Sequence, residues 1–283
     1  AVYELPHRIN GWALTHLSYC LQVKIMTQVN LKTAPGHQIL AAAGKQALRP
    51  GGYTATEQLF SWADFQPGET VLELAASFGY SAIALAQRYG VYVVGIEKNP
   101  ESVATARANI AAAGLSNQVE IIEGDIFHLE QITQQFDYVL AEAILTMQSA
   151  AGKAKVLAGV YDRLKPNGSF LSQELRASGP DIAEIYRDLS ATIRVNAKPL
   201  PAEDWMGACQ TAGLTIEHHS AGPMTLLNPR QIAKEEGLST LLTIGWNMLT
   251  RPVLRQRILA MRDTFERHHQ NLGYVVLCAK KET

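Results

Sequence analysis

A chain of 283 residues with a formal net charge of −1 and 18% charged residues can bury a sizeable core, and it carries no basic surplus for a polyanionic partner. Three widely spaced cysteines, Cys20, Cys209 and Cys278, form no CxxC pair. That argues against a disulfide framework and a zinc site, and for reduced, mostly buried thiols in a cytoplasmic protein. No stretch reaches 18 uninterrupted apolar residues, so no membrane span is expected.

The first predicted element is an apolar helical segment, GWALTHLSYCLQVKIMTQVNL (11–31), broken by His16, Gln22, Lys24 and Gln28. It lacks a basic start and a small-residue cleavage site, so it reads as a helix over the protein's own pocket rather than a signal peptide. LRPGGYTATEQLF (48–60) follows, a turn at Arg49-Pro50-Gly51-Gly52 and then a helix carrying Leu59 and Phe60, with Thr54 or Thr56 as the cap. Residues 1–64 form an N-terminal helical cover, and 65–283 the main domain.

From Thr70 onward β-rich runs alternate with helices. VLEL (71–74) is a first strand, and Gly90 closes the helix after it. VYVVGIE (91–97) is the second, and Asn99-Pro100 starts the next helix with asparagine at the cap and proline in the first turn. VEIIEGD (119–125), FDYVLAE (136–142) and SFLSQEL (169–175) are the third, fourth and fifth strands, with an amphipathic helix over 155–164. This rhythm implies an α/β fold with a parallel sheet covered by helices on both faces. Helices are predicted over 180–195 and 201–213, and strands over 214–222 and 274–281. Between those strands, 228–272 reads as a helical lid insertion, with Leu254, Ile258, Met261 and Phe265 in one apolar stripe.

In an open parallel sheet, ligands bind beyond the carboxyl ends of the strands. Four successive strands finish at or near an acid: Glu73, Glu97, Asp125 and Glu142. Glu97 lies 18 residues past Gly79, close to the roughly 20-residue offset at which an acid on the second strand bonds ribose hydroxyls.

VLELAASFGYS, VVGIEKNPESVATARANIAAAG, VEIIEGDIFHL, FDYVLAEAIL and DRLKPNGSFL, in this order, resemble the class I S-adenosylmethionine-dependent methyltransferases over about residues 65–175. The resemblance implies a doubly wound, mostly parallel, seven-stranded Rossmann-like sheet whose last strand, here 274–281, is antiparallel and inserted beside the sixth. It implies S-adenosylmethionine as cofactor. Glu73 would support the methionine end, Ala75, Ala76, Ser77 and Gly79 would form the cofactor loop, Glu97 would meet the ribose, and Lys98 beside it would also touch the cofactor. Asp125 and Ile126 would contact the adenine, and Glu142 and Ala143 would lie near the departing methyl group. The family's usual E/D-x-G-x-G-x-G loop has glycine where Ala75 and Ser77 stand. These small residues permit close backbone approach if φ stays negative. Arg49 or the backbone N–H groups of Gly51 and Gly52 would meet the cofactor carboxylate, and Tyr53 would face the sulfonium.

Methyl transfer then requires alignment, and a general base only for a protonated nucleophile. Glu142 is one candidate; His219 or its neighbour His218 is the other, since adjacent strand residues face opposite ways. His16 and His37 are weaker candidates. Tyr19, Trp246 and Met248 are expected to line a pocket roofed by both helical segments. The fourth strand reads A-E-A-I rather than D/N-P-P-Y, and no acidic cluster suggests a magnesium site. A small organic acceptor remains, with no nucleic acid and no membrane, in a monomer or homodimer that holds no metal. The rival readings are a catalytically silent ligand-binding protein of the same fold and an NAD-dependent oxidoreductase, the latter lacking glycine at Leu74 and Ala76.

Overall fold

The computed structural model describes residues 30–45 and 47–283; Tyr19, His16 and the rest of the predicted helix before Asn30 lie outside the described residues. Helices α1 (Gly36–Ala43) and α2 (Gly52–Ala63) precede β1 (Thr70–Leu74). The alternating unit continues as α3 (Tyr80–Tyr89), β2 (Tyr92–Glu97), α4 (Pro100–Ala112), β3 (Val119–Glu123), β4 (Phe136–Glu142), α5 (Ala150–Arg163) and β5 (Leu164–Ala177). Then come α6 (Ile182–Ile193), α7 (Ala202–Thr211), β6 (Leu214–Pro223), α8 (Pro229–Thr250), α9 (Pro252–Arg267) and β7 (Leu272–Lys281).

The strands form one sheet in the order β3-β2-β1-β4-β5-β7-β6. β7 runs antiparallel to both β5 and β6, while the other pairs are parallel. Strand alternation builds two cores. Val71, Leu140 and Leu171 face α2, α3 and α4, whereas Leu72, Val139 and Phe170 face α5 and α7. α4 starts as read: Asn99 accepts from the N–H groups of Glu101 and Ser102, with Pro100 in the first turn.

A third core lies among α1, α6, α8 and α9, above the carboxyl ends of β5 and β6. The predicted stripe Leu254, Ile258, Met261 and Phe265 is buried there. α8 is not one continuous helix. Gly237, at φ 87 and ψ 163, interrupts the helix and resets its phase. Thr240 and Ile244 then face inward, and Leu238, Leu242, Trp246 and Leu249 face solvent. No helix of the described residues is long and apolar enough to cross a membrane.

Candidate active site

The loop after β1 is built in glycine-like geometry with few glycines. Ala75, Ser77 and Gly79 have φ of 55°, 51° and 77°. The expectation of negative φ at the first two is therefore wrong. An L-residue held there costs about 1–2 kcal/mol, so the loop persists only because its surroundings fix it. Ala76 N–H donates to Ile96 O at 3.0 Å, Gly79 N–H to Ala76 O at 2.8 Å, and Ser77 N–H to Glu97 Oε2 at 2.9 Å. Such strain concentrates at ligand sites.

Glu97, at the end of β2, also accepts from Asn99 N–H through Oε1 at 2.8 Å. Each carboxylate oxygen keeps a further lone pair for a ligand hydroxyl. Lys98 Nζ lies 2.7 Å from Asp125 Oδ2, and Phe127 N–H donates to Asp125 Oδ1 at 3.0 Å. The lysine first, and that N–H second, hold the Asp125 carboxyl below its usual range. Asp125 thereby opens a short 3₁₀ turn that begins at Ile126.

Strand alternation puts Glu73, Glu142 and Gln173 on the α2 face of β1, β4 and β5. Arg49 Nη1 donates to Glu142 Oε2 at 2.8 Å and to Ser81 Oγ at 2.9 Å; Ser81 Oγ donates to the same Glu142 oxygen at 2.6 Å. Thr56 Oγ1 lies 2.8 Å from Glu142 Oε1 and 3.2 Å from Gln173 Oε1. In this network Glu73 Oε2, Gln173 Nε2 and Arg49 Nε are buried without a hydrogen-bond partner. Glu73 is 6% exposed. Burial first, then the Glu142 carboxylate, push its pKa up to about 8. A neutral carboxyl, an amide N–H and a guanidinium N–H left over in one buried spot fit the ammonium and carboxylate of an amino acid. The S-adenosylmethionine methionine end has those groups.

The Gly51-Gly52 turn is held from α8. Glu235 of α8 accepts from Tyr53 N–H at 3.1 Å and from Thr54 N–H and Oγ1 at 3.0 and 2.7 Å. A Cβ on Gly52 would sit 2.1 Å from Glu235 Oε2, and Gly52 has φ 60°, so a larger residue would be strained and would push the Glu235 carboxylate from its place. Helix α2 starts at Gly52 with Gly51 as its cap. Thr54 and Thr56 therefore lie inside the helix, where their hydroxyls serve Glu235 and Glu142 instead of capping it. Tyr53 lies under the Arg49 guanidinium, 5.4 Å from the ring centroid.

Beside this network lies a pocket of about 600 Å³, the open space at its mouth included, walled by Leu40, Leu175, Leu189, Ile193, Met261 and Phe265. Pro50 and Ala143 also line it, so it begins at the residues that directly follow Arg49 and Glu142. His37 lines it as well. The floor is fixed by Glu174, wholly buried on β5. It accepts from Ile144, Leu145 and Thr146 N–H at 3.2, 2.8 and 2.8 Å, and from Thr146 Oγ1 at 2.6 Å. Burial pushes Glu174 up to about 7 against those four donors.

The structure gathers Arg49, Glu73, Glu142 and the Ala75–Gly79 loop at one place, with Glu97, Lys98, Asp125 and Ile126 along the neighbouring strand ends. It does not gather the other predicted residues there. Insertion of β7 puts β6 at the sheet edge, where His218 and His219 are both exposed, His218 stacked on Trp62. Trp246 is 66% exposed on the outer side of α8, and Met248 packs into the lid core away from the pocket lining. Thr56, Ser81, Gln173, Glu174 and Glu235 were missed. Ser172, Gln173 and Glu174 gave one signal, three polar residues in a row directly after the apolar pair Phe170-Leu171, and all are buried. Among the described residues no group of His, Cys, Asp and Glu can hold a metal ion.

A family model described as a methyltransferase domain matches residues 65–236. An uncharacterized protein of Haemophilus influenzae is 33% identical over 88% of this chain and 99% of its own length. A putative sarcosine dimethylglycine methyltransferase from Galdieria sulphuraria superposes with a TM-score of 0.66 at 16% identity, covering 81% of this chain and 84% of its own. A Haemonchus contortus phosphoethanolamine N-methyltransferase 2, in complex with phosphomonomethylethanolamine and S-adenosylhomocysteine, gives 0.68 at 15% identity over 91% of this chain and 58% of its own. The chain belongs to the class I methyltransferases, whose domain binds S-adenosylmethionine.

Proposed function

We propose that this protein transfers the methyl group of S-adenosylmethionine to a small organic molecule held in the apolar pocket. One observation carries the reading: the buried polar network and the apolar pocket meet at Pro50 and Ala143, adjacent in sequence to Arg49 and Glu142. The cofactor supplies a methyl group already activated on sulfur, so the protein's task is alignment in a dry site, worth about 7–11 kcal/mol at best.

In this assignment Glu73 and Gln173 hold the ammonium and carboxylate of the methionine end, with Arg49. Glu97 accepts from the ribose hydroxyls, the Ala75–Gly79 backbone covers the cofactor, and Asp125 with Ile126 borders the adenine. Glu142 is a positioning residue rather than a base, because Arg49, Ser81 and Thr56 already occupy its oxygens. The near-zero net charge supports a small acceptor over RNA or DNA. The test is incubation with methyl-labelled S-adenosylmethionine and a cell extract split into small-molecule, RNA and protein fractions. Label should enter the small-molecule fraction. Label confined to RNA or protein would overturn the assignment.

A further inference from the structure

The pocket walls are apolar side chains from α1, β5, α6 and α9 and from the segments before α2 and after β4, α6 and β6, with Thr146 and His37 as polar exceptions. Thr146 Oγ1 is spent on Glu174 and on Leu175 N–H, the latter at 3.1 Å. His37, in the first turn of α1, is thus the single titratable side chain among the described lining residues. A buried polar group needs a partner and a buried charge needs a counter-charge, and the described lining residues supply the second to no ligand. The positive charge present during transfer would be that of the cofactor's sulfonium, and Ala143, next to Glu142, would border it.

We propose that the acceptor is an uncharged, largely apolar molecule with one protic group, a hydroxyl on a ring or chain, and that His37 selects it by accepting that group's hydrogen bond. This deepens the acceptor-pocket reading above and rests on it. His37 can play the part because it lines the pocket while its side chain stays open to solvent, so an entering hydroxyl can reach the ring. Crowding by the surrounding chain, the larger influence, lowers its pKa below 6.5 against the pull of the Glu97 carboxylate, so a neutral ring nitrogen is available at neutral pH. Among the described lining residues, a phosphorylated or quaternary-amine acceptor finds no ionic partner.

The test uses protein saturated with S-adenosylhomocysteine and three probes sharing one ring system: 1-naphthol, 1-fluoronaphthalene and 1-naphthyl phosphate, titrated by calorimetry. 1-Naphthol should bind about fivefold tighter than 1-fluoronaphthalene, the worth of one neutral hydrogen bond, and the phosphate should bind at least tenfold weaker than the naphthol. His37→Phe should erase the naphthol preference and leave 1-fluoronaphthalene within twofold, and His37→Gln, which keeps an acceptor oxygen, should restore most of it. Tighter binding of 1-naphthyl phosphate would overturn the acceptor class. An unchanged naphthol preference in His37→Phe would overturn the role of His37. If no probe bound while S-adenosylhomocysteine did, the acceptor-pocket reading itself would fall, and the inference with it.

Discussion

At the ends of β1, β2 and β3 the chain presents acids, a tight loop and backbone donors. At the ends of β4, β5 and β6 it presents Leu, Met and Phe side chains from three distant helices. The first half is assembled from residues within one or two elements of each other: Ser77 reaches Glu97, and Lys98 reaches Asp125. The second draws on α1, α6 and α9, which span residues 36–267. Local construction suits a ligand whose shape is fixed, and long-range construction suits a pocket that can change its acceptor while the sheet stays as it is. Two carboxylates join the halves. Glu142 holds Arg49 beside the polar network, and Glu174 holds the turn that floors the pocket.

That junction is where the largest effect is expected. Glu174→Ala leaves two buried N–H groups, one partly buried N–H group and one hydroxyl without their acceptor. It should lower unfolding free energy by about 3–5 kcal/mol in urea titrations, since each buried unsatisfied group costs about 1–3 kcal/mol and part of the loss is regained by relaxation. A loss below about 1 kcal/mol would mean that the turn does not depend on this acid. Glu97→Ala breaks the cofactor half alone. It removes charged hydrogen bonds of about 1.5–3 kcal/mol each, so S-adenosylhomocysteine affinity should fall by about 2–4 kcal/mol. 1-Naphthol affinity should barely move. Equal losses for both ligands would show that the halves are not separable. Ala75→Gly sharpens the picture from the other side, by removing a strained left-handed alanine. Its unfolding free energy should rise by up to about 1 kcal/mol, the strain relieved less the entropy that glycine adds to the unfolded chain. A fall would mean that the strain is smaller than that entropy.

Sequence pattern revealed the first half well and the second poorly, for the same reason. The strand-end acids Glu73, Glu97, Asp125 and Glu142 are fixed by period-two strands and their short loops, which are local. The lid stripe from Leu254 to Phe265 was readable because one helix period carries it. Trp246 was misread because a single residue, Gly237, resets the helix phase, and its unusual φ and ψ leave no trace in apolar spacing. His219 was misread because strand alternation says only that neighbouring residues face opposite ways, and both faces of the edge strand β6 are open at His218 and His219. The positive φ at Ala75 and Ser77 was hidden because side-chain size does not report backbone handedness. Gln173 and Glu174 were legible in principle, as polar residues inside a buried strand, but their partners come from other elements.

The pH behaviour of Glu73 tests the central claim, that the amino-acid end of S-adenosylmethionine seats on this network. With a folded pKa raised to about 8 against an ordinary 4.5, Glu73 holds its proton in the free protein at pH 7. The folded state then binds more protons than the unfolded one, and the contribution of Glu73 to stability falls as pH rises from about 4.5 through 8. A ligand ammonium beside the carboxyl favours the ionised form and expels that proton. The most direct measurement is a calorimetric titration of S-adenosylhomocysteine at pH 7 in phosphate and in Tris buffer. It should show binding with release of nearly one proton, seen as a heat that changes with the buffer's ionisation enthalpy, and Glu73→Gln should abolish the buffer dependence. Binding with the same heat in both buffers, or no binding at all, would contradict the account.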